Sequence, residues 1–348
     1  MEKRLELDFN EILASDHCEQ FRGKSFLITG ATGLIGSLLT KFLIYVNKTK
    51  SLDIQIYAAV RNLEKAQVIF QEHMDRYLSF LHLDFDHPTP VPDIAVDYIV
   101  HTAAVTTSKT MVSKPVETLL GSINGTDTML RLARRTGASI LYLSSMEAYG
   151  TINDSGKKAT EEELGYIDLS NVRSCYPESK RLCECLCRSY HEQYHVRAVS
   201  GRLAQTFGAG VMPQENRVFA QFARSAMNGQ PIVLHTLGKS EGNYIYTADA
   251  IRAILFLLVN GAAGETYNIT NEKNHMTIAD MAALVAQTIG NGQCKVVFDI
   301  PENGNAYGYA PDTKLFMSSQ KINGLGWFAQ VGLKEAYERL CDYFLETA

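Results

Sequence analysis

Short apolar runs alternate with longer stretches of helical apolar spacing between Ser25 and Arg202. The runs predict strands at Ser25–Thr29, Ile54–Val60, Tyr77–Leu83, Val96–His101, Ile140–Ser144 and Arg197–Arg202. The stretches between them predict helices at Leu34–Val46, Leu63–Asp75, Pro115–Thr136 and Cys175–Tyr194. This alternation indicates βαβ units and a parallel sheet covered on both faces. We therefore expect a doubly wound α/β fold whose ligands lie at the carboxyl ends of the strands.

The pattern loosens after Gly208 into loops, short helices and glycine-rich turns. The segment "AIRAILFLLVNG" predicts one strongly apolar helix and "YNIT" an added strand, while Thr277 and Asp280 have the spacing of a capping box. We predict two interleaved parts. Residues 1–205, with 244–262 returning to them, form the sheet domain, and residues 206–243 and 263–348 form a smaller region that covers the substrate.

The composition and charge narrow the choice of partner. The 348 residues are 46% hydrophobic and 20% charged, which is typical of a globular protein. A net charge of -5 without any run of Lys or Arg predicts no nucleic-acid partner. The first residues lack the apolar core of a signal peptide, and no apolar run reaches the roughly 18 residues of a membrane span. We expect a cytoplasmic protein with a small-molecule partner and no membrane partner.

Three of the seven cysteines alternate along one predicted helix, at Cys183, Cys185 and Cys187. Alternate positions of a helix point to different faces, which suits neither a zinc site nor a disulfide. We expect these cysteines to be packing residues, and we predict no metal site.

The stretch "TGATGLIG" leaves the first predicted strand and opens the first predicted helix. Its glycines, Gly30, Gly33 and Gly36, allow a tight turn, a close approach to a pyrophosphate and packing of the new helix on the sheet. The N–H groups at the start of that helix then face the phosphates. We predict that this turn binds a dinucleotide through Gly30, Thr32, Gly33, Leu34, Ile35 and Gly36.

The second predicted strand ends in "AAVRN", where a dinucleotide fold that prefers NAD usually has an acidic residue. The residue at this place is Arg61, whose planar guanidinium can pair with a 2′-phosphate. The alternative is a solvated arginine at a strand end. The cofactor is therefore NAD or NADP, with a preference for NADP that depends on Arg61 alone.

Tyr176 and Lys180 in "YPESK" are four residues apart, which places both on one face of a predicted helix. An ammonium group beside a phenol lowers the phenol pKa, so Tyr176 can exchange a proton with a hydroxyl or carbonyl group while a hydride moves to or from nicotinamide. Ser145 closes the fifth predicted strand at the same edge and can donate a hydrogen bond to the same substrate oxygen.

With these residues in order, the chain resembles the extended short-chain dehydrogenase/reductase family, which includes nucleotide-sugar epimerases, dehydratases and decarboxylases. The matching segments are "TGATGLIG", "HLDFD", "HTAA", "INGT", "SSMEAYG", "YPESK" and "GRLAQTFGAG". The resemblance implies a Rossmann domain, a nucleotide-sugar substrate and catalytic roles for Ser145, Tyr176 and Lys180. It also implies a homodimer formed by the helices predicted at Pro115–Thr136 and Cys175–Tyr194, although internal packing explains their apolar positions equally well.

Further roles follow from the resemblance alone. Asp84 and Phe85 would lie along the adenine, Ala103 and Ala104 would flank the cofactor, and Lys180 would hold the nicotinamide ribose. Asn124 would support the active-site helix. Phe85 as a core residue and Asn124 as a buried hydrogen-bonding residue are the alternatives.

Glu147 matches a glutamate that the sugar 4,6-dehydratases and nucleotide-glucuronate decarboxylases carry, which can act as a base or orient the substrate. The dehydratases have an aspartic acid before it, where this chain has Met146, and a local salt bridge is the alternative role for Glu147. On the substrate side, Gln205 replaces an asparagine and Gly242 an arginine of the family. Diphosphate contacts would then fall to Arg217 or Lys239.

Three functional hypotheses remain open from the sequence. The first is an epimerase or dehydratase type of enzyme in which NAD(P) takes a hydride from a nucleotide-activated sugar and returns it. The second is an NADPH-dependent reductase of a nucleotide-linked keto-sugar or ketose, which Arg61 and Met146 favour. The third is a dinucleotide-binding protein without catalysis, against which the complete set of Ser145, Tyr176 and Lys180 argues.

Overall fold

A computed structural model describes residues 2–15, 18–87, 89–152, 157–300 and 313–347. The strands, in chain order, are β1 Ser25–Thr29, β2 Gln55–Val60, β3 Leu78–His82, β4 Tyr98–His101, β5 Ser139–Ser145, β6 Ala198–Leu203, β7 Gln205–Phe207, β8 Ile232–Leu234, β9 Glu241–Tyr246, β10 Thr266–Ile269, β11 His275–Thr277 and β12 Val296–Phe298. The helices are α1 Lys3–Ser15, α2 Leu34–Lys50, α3 Leu63–Phe70, α4 Ser108–Ser113, α5 Pro115–Thr136, α6 Cys175–Tyr194, α7 Val218–Met227, α8 Thr247–Asn260, α9 Ile278–Thr288, α10 Gln320–Gly324 and α11 Leu333–Thr347.

The main sheet of the described chain has seven strands in the order β10-β6-β5-β4-β1-β2-β3, and every pairing in it is parallel. The strand order reverses between β1 and β4, which is the switch point at which doubly wound sheets bind ligands. The predicted fold class and the six predicted strands are confirmed. Since the strands are parallel, their carboxyl ends share one edge, and the ends of β1, β4 and β5 are called the carboxyl edge below.

The two faces of the sheet have separate apolar cores because neighbouring side chains of a strand point to opposite faces. On one face, Phe26 and Ile28 of β1 pack in the larger core with α2 and α8. On the other face, Leu27 packs in a second core with Met129 of α5 and Cys183 of α6. Helices therefore cover both faces, and α5 and α6 lie together on the face of Leu27.

Local chain chemistry explains several element boundaries. Pro115 occupies the start of α5, where a missing N–H costs nothing, and Gly137 ends that helix in the left-handed conformation, with φ of 75°. The predicted cap of α9 is confirmed, since the Thr277 hydroxyl accepts a hydrogen bond from the Asp280 N–H at 3.0 Å. The helix predicted at Leu63–Asp75 instead ends at Phe70 and continues as a 3-10 turn over Gln71–His73.

Among the described residues, the second half contains two small sheets, one of β11, β9 and β7 and one of β12 and β8. The strand β10, which the sequence division places in the substrate region, pairs with β6 and lies in the main sheet. That part of the division is wrong, because β10 extends the parallel edge beside β6. The rest of the division remains a prediction. None of the helices in the described residues has the length and apolar character needed to cross a membrane.

The helix α1 has no counterpart in the sequence-based prediction. Its Asp8 is buried and accepts hydrogen bonds from Arg4 at 2.7 Å, Arg339 at 2.9 Å and the Tyr246 hydroxyl at 2.5 Å. Burial raises the pKa of Asp8, against the lowering effects of these partners. These contacts attach the N-terminal helix to α11 and to the end of β9.

Candidate active site

The glycine turn after β1 lies directly against the end of β4. Gly30 has φ of 63°, and a Cβ atom there would be 2.9 Å from the Ala103 backbone. A Cβ at Gly36 would be 2.4 Å from the Gly30 carbonyl oxygen. Both positions therefore require glycine. Gly30 requires it for its positive φ and for the close approach of the Ala103 backbone, and Gly36 requires it for the close packing of α2 on the turn.

Gly33 precedes α2 and its N–H donates to the Gly30 carbonyl at 2.9 Å, so the turn closes on itself. The backbone N–H groups at the start of α2 include those of the three predicted residues Leu34, Ile35 and Gly36. The Ile35 side chain is buried in the core, whereas Thr32 is partly exposed beside the turn. The turn can hold a phosphate through backbone N–H groups, as the sequence predicts.

Hydrogen bonds join the ends of β1 and β4 beneath this turn. The Thr29 hydroxyl contacts His101 Nδ1 at 2.7 Å and accepts from the Ala103 N–H at 3.2 Å. Burial lowers the pKa of His101 to about 3, so its ring is neutral. Ala103 and Ala104 are partly buried and continue from this junction.

Arg61 lies just past β2 and pairs with Asp86, with 3.0 Å between Nη1 and Oδ2. The Arg61 side chain is 65% exposed. Asp84 accepts the Asp86 N–H at 3.1 Å, which closes a short turn around Phe85. An acidic residue is therefore present at this end of the sheet, although it belongs to the segment after β3 and not to β2.

Phe85 packs against α5 and against the His101 ring, with ring centroids 5.9 Å apart. A Cβ at Gly125 would be 2.9 Å from the Phe85 ring, so a glycine is needed for this contact. The Asn124 side chain donates to the Phe85 carbonyl at 3.5 Å. This bond ties Asn124 to the segment predicted to face the adenine, and the support of the active-site helix by Asn124 stays a prediction.

Ser145 and Tyr176 meet at the carboxyl edge. Ser145 is the last residue of β5, and Tyr176 lies in the first turn of α6, which packs on β5. Tyr176 is buried, and burial raises its pKa to about 12 although a hydrogen bond with Ser145 acts to lower it. The two hydroxyl groups are thus brought together as predicted.

Lys180 follows one turn later on α6, with its Nζ 5.6 Å from the centroid of the Tyr176 ring. The ammonium donates to the Leu143 carbonyl at 2.8 Å and lies 4.8 Å from the Tyr142 ring centroid. Burial lowers the pKa of Lys180 to about 8. The expected lowering of the Tyr176 pKa is wrong for this structure, because the cost of burying a phenolate exceeds the lowering effects of its neighbours.

Glu147 forms a two-pronged ion pair with Arg173, whose Nη1 and Nη2 donate to its carboxylate oxygens at 2.6 Å and 3.0 Å. The N–H of Glu147 also donates to the Ser145 hydroxyl at 3.2 Å. The sequence analysis missed Arg173. The position of Arg173, three residues before Tyr176, could have marked it as a candidate site residue. Its partner Glu147, however, lies 26 positions away in the sequence, so the sequence alone does not show the pair.

Ser144, beside Ser145, contacts a second ion pair that the sequence analysis also missed. Its hydroxyl donates to Glu184 at 2.5 Å, and Glu184 pairs with Arg202 at 2.7 Å. Both charged side chains are largely buried. This network fixes the end of β5 against α6 and β6, behind the two hydroxyl groups.

The predicted substrate residues lie on other segments. Gln205 is exposed at the start of β7. Arg217 lies just before α7 and pairs with Glu215 at 2.9 Å. Gly242 lies on β9, with its Cβ position 4.0 Å from the Met146 side chain. The structure therefore places Gly242 beside the turn that carries Glu147, and gives Arg217 a partner on its own segment.

All seven cysteines are free thiols. Cys183 and Cys187 are buried, as expected for packing residues, but Cys185 is exposed because alternate positions on α6 face opposite sides. Within the described ranges, no group of three or more His, Cys, Asp or Glu side chains could hold a metal ion.

The chain is similar in sequence to several characterised proteins. UDP-glucuronic acid decarboxylase 1 of Xenopus tropicalis is 28% identical over 322 residues, covering 92% of this chain and 72% of that protein. UDP-glucuronic acid decarboxylase 6 of Arabidopsis thaliana is 29% identical over 312 residues, covering 89% of this chain and 85% of that protein.

Among solved structures, UDP-glucuronic acid 4-epimerase from Bacillus cereus, in complex with UDP-glucuronic acid and NAD, superposes with a TM-score of 0.74. It is 20% identical, and the match covers 93% of this chain and 100% of that one, which supports the fold. A model described as "NAD dependent epimerase/dehydratase family" matches residues 26–270. The predicted resemblance is confirmed, and the chain belongs to the NAD dependent epimerase/dehydratase family.

Proposed function

We propose that this protein oxidises a hydroxyl group of a nucleotide-activated sugar with a bound NAD and returns the hydride within the same turnover. The observation that supports this most directly is the meeting of Ser145, Tyr176 and Lys180 at the carboxyl edge, which is shared with the glycine turn after β1. The net result is epimerisation or elimination, including decarboxylation, at the sugar ring.

The side chains have distinct parts in this proposal. Ser145 donates a hydrogen bond to the reacting sugar oxygen, and Tyr176 removes its proton. Bound NAD supplies the hydride acceptor and a positive charge, which favours the phenolate of Tyr176. Lys180 holds the nicotinamide ribose, and its ammonium stabilises negative charge on the phenol oxygen. Glu147 acts on a ring carbon as a base or orients the sugar.

The nicotinamide dinucleotide would be held by the residues predicted from the sequence. The turn from Gly30 to Gly36 would bind the pyrophosphate, Ala103 and Ala104 would flank the cofactor, and Asp84 and Phe85 would lie along the adenine. We propose NAD, because Asp86 already neutralises Arg61 and its carboxylate disfavours a 2′-phosphate nearby. NADP is the alternative, which the 65% exposed guanidinium of Arg61 favours.

The substrate class is proposed from the relatives named above, which are UDP-glucuronic acid decarboxylases. A UDP-linked hexose or hexuronic acid would lie between the carboxyl edge and the smaller region predicted in the second half of the chain, from which β10 is now excluded. Gln205 and Arg217 remain predicted contacts. Because Gly242 has no side chain to offer a diphosphate, other groups must neutralise that charge.

The test is an assay of the purified protein with a panel of UDP- and dTDP-linked sugars, including UDP-glucuronic acid. We expect a changed sugar, detected by mass spectrometry and NMR, with no lasting change in the near-ultraviolet absorbance of reduced nicotinamide. Tyr176→Phe serves as the matched inactive control. A protein that binds no dinucleotide and changes no sugar would contradict the proposal.

An NADPH-dependent reductase of a nucleotide-linked keto-sugar is the second candidate function. It is favoured by the exposed Arg61 and by Met146, which stands where the dehydratases have an acid. The two functions differ in stoichiometry, because a reductase consumes one reduced cofactor per product. Tighter binding of NADH than NADPH would count against the reductase.

We also propose a homodimer formed through α5 and α6. Val116 and Leu120 are four residues apart on α5 and are exposed, as is Leu182 on α6. Paired helices that expose apolar side chains fit a four-helix interface between two copies. Light scattering tests this, and a monomer at micromolar concentration would contradict it. The cytoplasmic location remains a prediction from the sequence.

A further inference from the structure

The ion pair of Arg173 and Glu147 has a geometry that fixes both side chains. Two parallel hydrogen bonds, of 2.6 Å and 3.0 Å, join the guanidinium to the carboxylate. A fork of this kind defines the plane and direction of the carboxylate, which a single contact with a lysine does not. The side chains are 33% and 34% exposed, so the pair is neither fully solvated nor sealed in the core.

The pair joins the two segments that present the reacting hydroxyl groups. Glu147 lies in the 3-10 turn Met146–Tyr149 directly after Ser145, and its N–H donates to the Ser145 hydroxyl at 3.2 Å. Arg173 lies in the 3-10 turn Val172–Ser174 that leads into α6, three residues before Tyr176. A change in the pair therefore moves Glu147 relative to both hydroxyl groups.

The backbone around Arg173 is itself held in place. The Arg173 N–H donates to the Asn171 side chain at 3.0 Å, and the Ser174 hydroxyl donates to the Asp168 carbonyl at 2.6 Å. The Cys175 thiol contacts the Met111 carbonyl of α4 at 3.5 Å. Arg173 thus extends from a fixed turn, and its guanidinium can serve as a reference point for the Glu147 carboxylate.

Both members of the pair act on Tyr176 through their charges. Glu147 raises the pKa of Tyr176 and Arg173 lowers it, although burial has the largest effect. Loss of Arg173 alone would leave the carboxylate uncompensated near the phenol. Ion pairs that are partly exposed contribute little to folding stability, so stability gives a weak reason for this two-pronged arrangement.

We propose that Arg173 is a positioning residue whose guanidinium holds the Glu147 carboxylate in a fixed orientation beside Ser145 and Tyr176, toward the sugar ring. This inference rests on the proposed function, because it assigns Arg173 to the turnover of the same substrate. Arg173 acts through Glu147 and not as a separate substrate contact. It also differs from the diphosphate contact that the sequence predicts for Arg217.

The experiment compares four variants with the wild type in the nucleotide-sugar assay. Arg173→Gln removes the charge, Arg173→Lys keeps the charge without the fork, and Glu147→Gln removes the carboxylate. The fourth combines Glu147→Gln with Arg173→Gln. Arg188→Gln is the matched control, since Arg188 lies on α6, the helix that follows Arg173, and pairs with Glu192 and Glu265 away from the site.

A misplaced reacting group can cost about 100-fold in rate. We expect Arg173→Gln to lower kcat by about 10- to 100-fold with KM changed by less than about 3-fold, and Arg173→Lys to restore part of kcat. The double variant should be no slower than Glu147→Gln, because residues that act as a unit are not additive. Arg188→Gln should match the wild type, and all variants should bind NAD equally well.

Three results would overturn the inference. One is wild-type kcat in Arg173→Gln. Another is a loss in the double variant equal to the product of the two single losses, which would mean that Arg173 acts without Glu147. The last is a loss confined to KM, which would make Arg173 a binding contact. A wild type that changes no nucleotide sugar refutes the proposed function and this inference together, which distinguishes that failure from the other three.

Discussion

On the side of the carboxyl edge proposed to hold the cofactor, called the cofactor side, the turn from Gly30 to Gly36 approaches β4 through backbone atoms and small residues. On the side proposed to hold the substrate, called the substrate side, charged side chains from separate segments meet, as in the pair of Glu147 and Arg173. The first side consists of one continuous stretch of sequence, the glycine turn, which contacts the backbone of Ala103. The second depends on partners that are far apart in the sequence.

This difference explains why one side can be interpreted from the sequence and the other cannot. A glycine turn has a local steric requirement, so the residues themselves reveal it. An arginine can bind a substrate phosphate, hold a carboxylate or pair on the surface, and only its neighbours in space decide. Arg61, Arg173 and Arg217 each have an acidic partner that the sequence analysis did not identify.

The largest expected effect separates catalysis from cofactor binding. Tyr176→Phe removes the phenol that exchanges the proton in the proposed function, and general acid–base catalysis contributes about 100- to 10,000-fold. We expect kcat to fall by at least about 1,000-fold, with NAD affinity within about 2-fold of the wild type. Turnover with the nucleotide-sugar panel and a cofactor titration measure the two effects. Unchanged turnover would show that the proton passes elsewhere.

The next effect tests the steric account of the cofactor side. Gly36→Ala places a Cβ 2.4 Å from the Gly30 carbonyl oxygen, which forces the turn and α2 apart. Overpacking of this kind costs about 1–3 kcal/mol, and we expect NAD affinity and the melting temperature to fall together. Gly324→Ala is the control, because no atom beyond its chain neighbours and the backbone of its own helix lies within 4 Å of its Cβ position among the described residues. Equal behaviour of the two variants would contradict the account.

The dependence of kcat/KM on pH tests the role of the buried Lys180 ammonium group. The pKa of Lys180 is lowered to about 8 by burial, so Lys180 loses its charge as the pH rises through this value. We expect kcat/KM to fall by up to about 10-fold per pH unit above it. In Lys180→Arg the side chain keeps its positive charge over this pH range. This variant should therefore move the fall in kcat/KM to higher pH. A profile without a fall up to pH 10 would contradict the role of the charge.

The lowered pKa of Lys180 also makes the free energy of unfolding depend on pH. Between about 8 and the ordinary 10.5, the unfolded chain binds a proton at Lys180 that the folded chain does not. The free energy of unfolding therefore rises with pH in this window through this group. Lys180→Met should lack that part of the rise in denaturant titrations. Identical pH dependence of the two proteins would contradict the shift.

The smallest expected effect concerns the choice between the two dinucleotides. Asp86→Asn removes the partner of Arg61 at an exposed pair, and such pairs contribute about 0–1 kcal/mol. We expect NADP affinity to rise by about 2- to 5-fold, with little change for NAD. Fluorescence titration measures both. A loss of NADP affinity would mean that Arg61 does not approach the 2′ position.

The sequence predicts most of the sheet because its strands are short apolar runs and its turns carry glycine. The strands β1 to β6 and the helices α2, α5 and α6 agree with the predictions within a few residues. The helix α1 was not predicted, because it packs against elements from the other end of the chain, and β10 was assigned to the wrong region, because only its pairing with β6 places it in the main sheet. Asp8, for example, is held by Arg339 and Tyr246.

The candidate site shows the same limit. Ser145, Tyr176 and Lys180 could be named as candidates because the spacing of Tyr176 and Lys180 on α6 and the place of Ser145 at the end of β5 are local features. The direction of the Tyr176 pKa could not, since it depends on how deeply the fold buries the phenol. Arg173 was missed because nothing in the sequence pairs it with Glu147. Long-range pairing and burial are properties of the folded chain.

The central claim is that the carboxyl edge beside the glycine turn holds a nicotinamide dinucleotide that cycles while a nucleotide sugar changes. The most direct measurement adds UDP-glucuronic acid, and then the rest of the sugar panel, to purified protein with a cofactor amount far below the substrate. Mass spectrometry of sugar and dinucleotide follows the reaction. We expect many product molecules per dinucleotide, and we expect the dinucleotide to be chemically unchanged at the end of the reaction. One cofactor oxidised per product, or no dinucleotide bound at all, would contradict it.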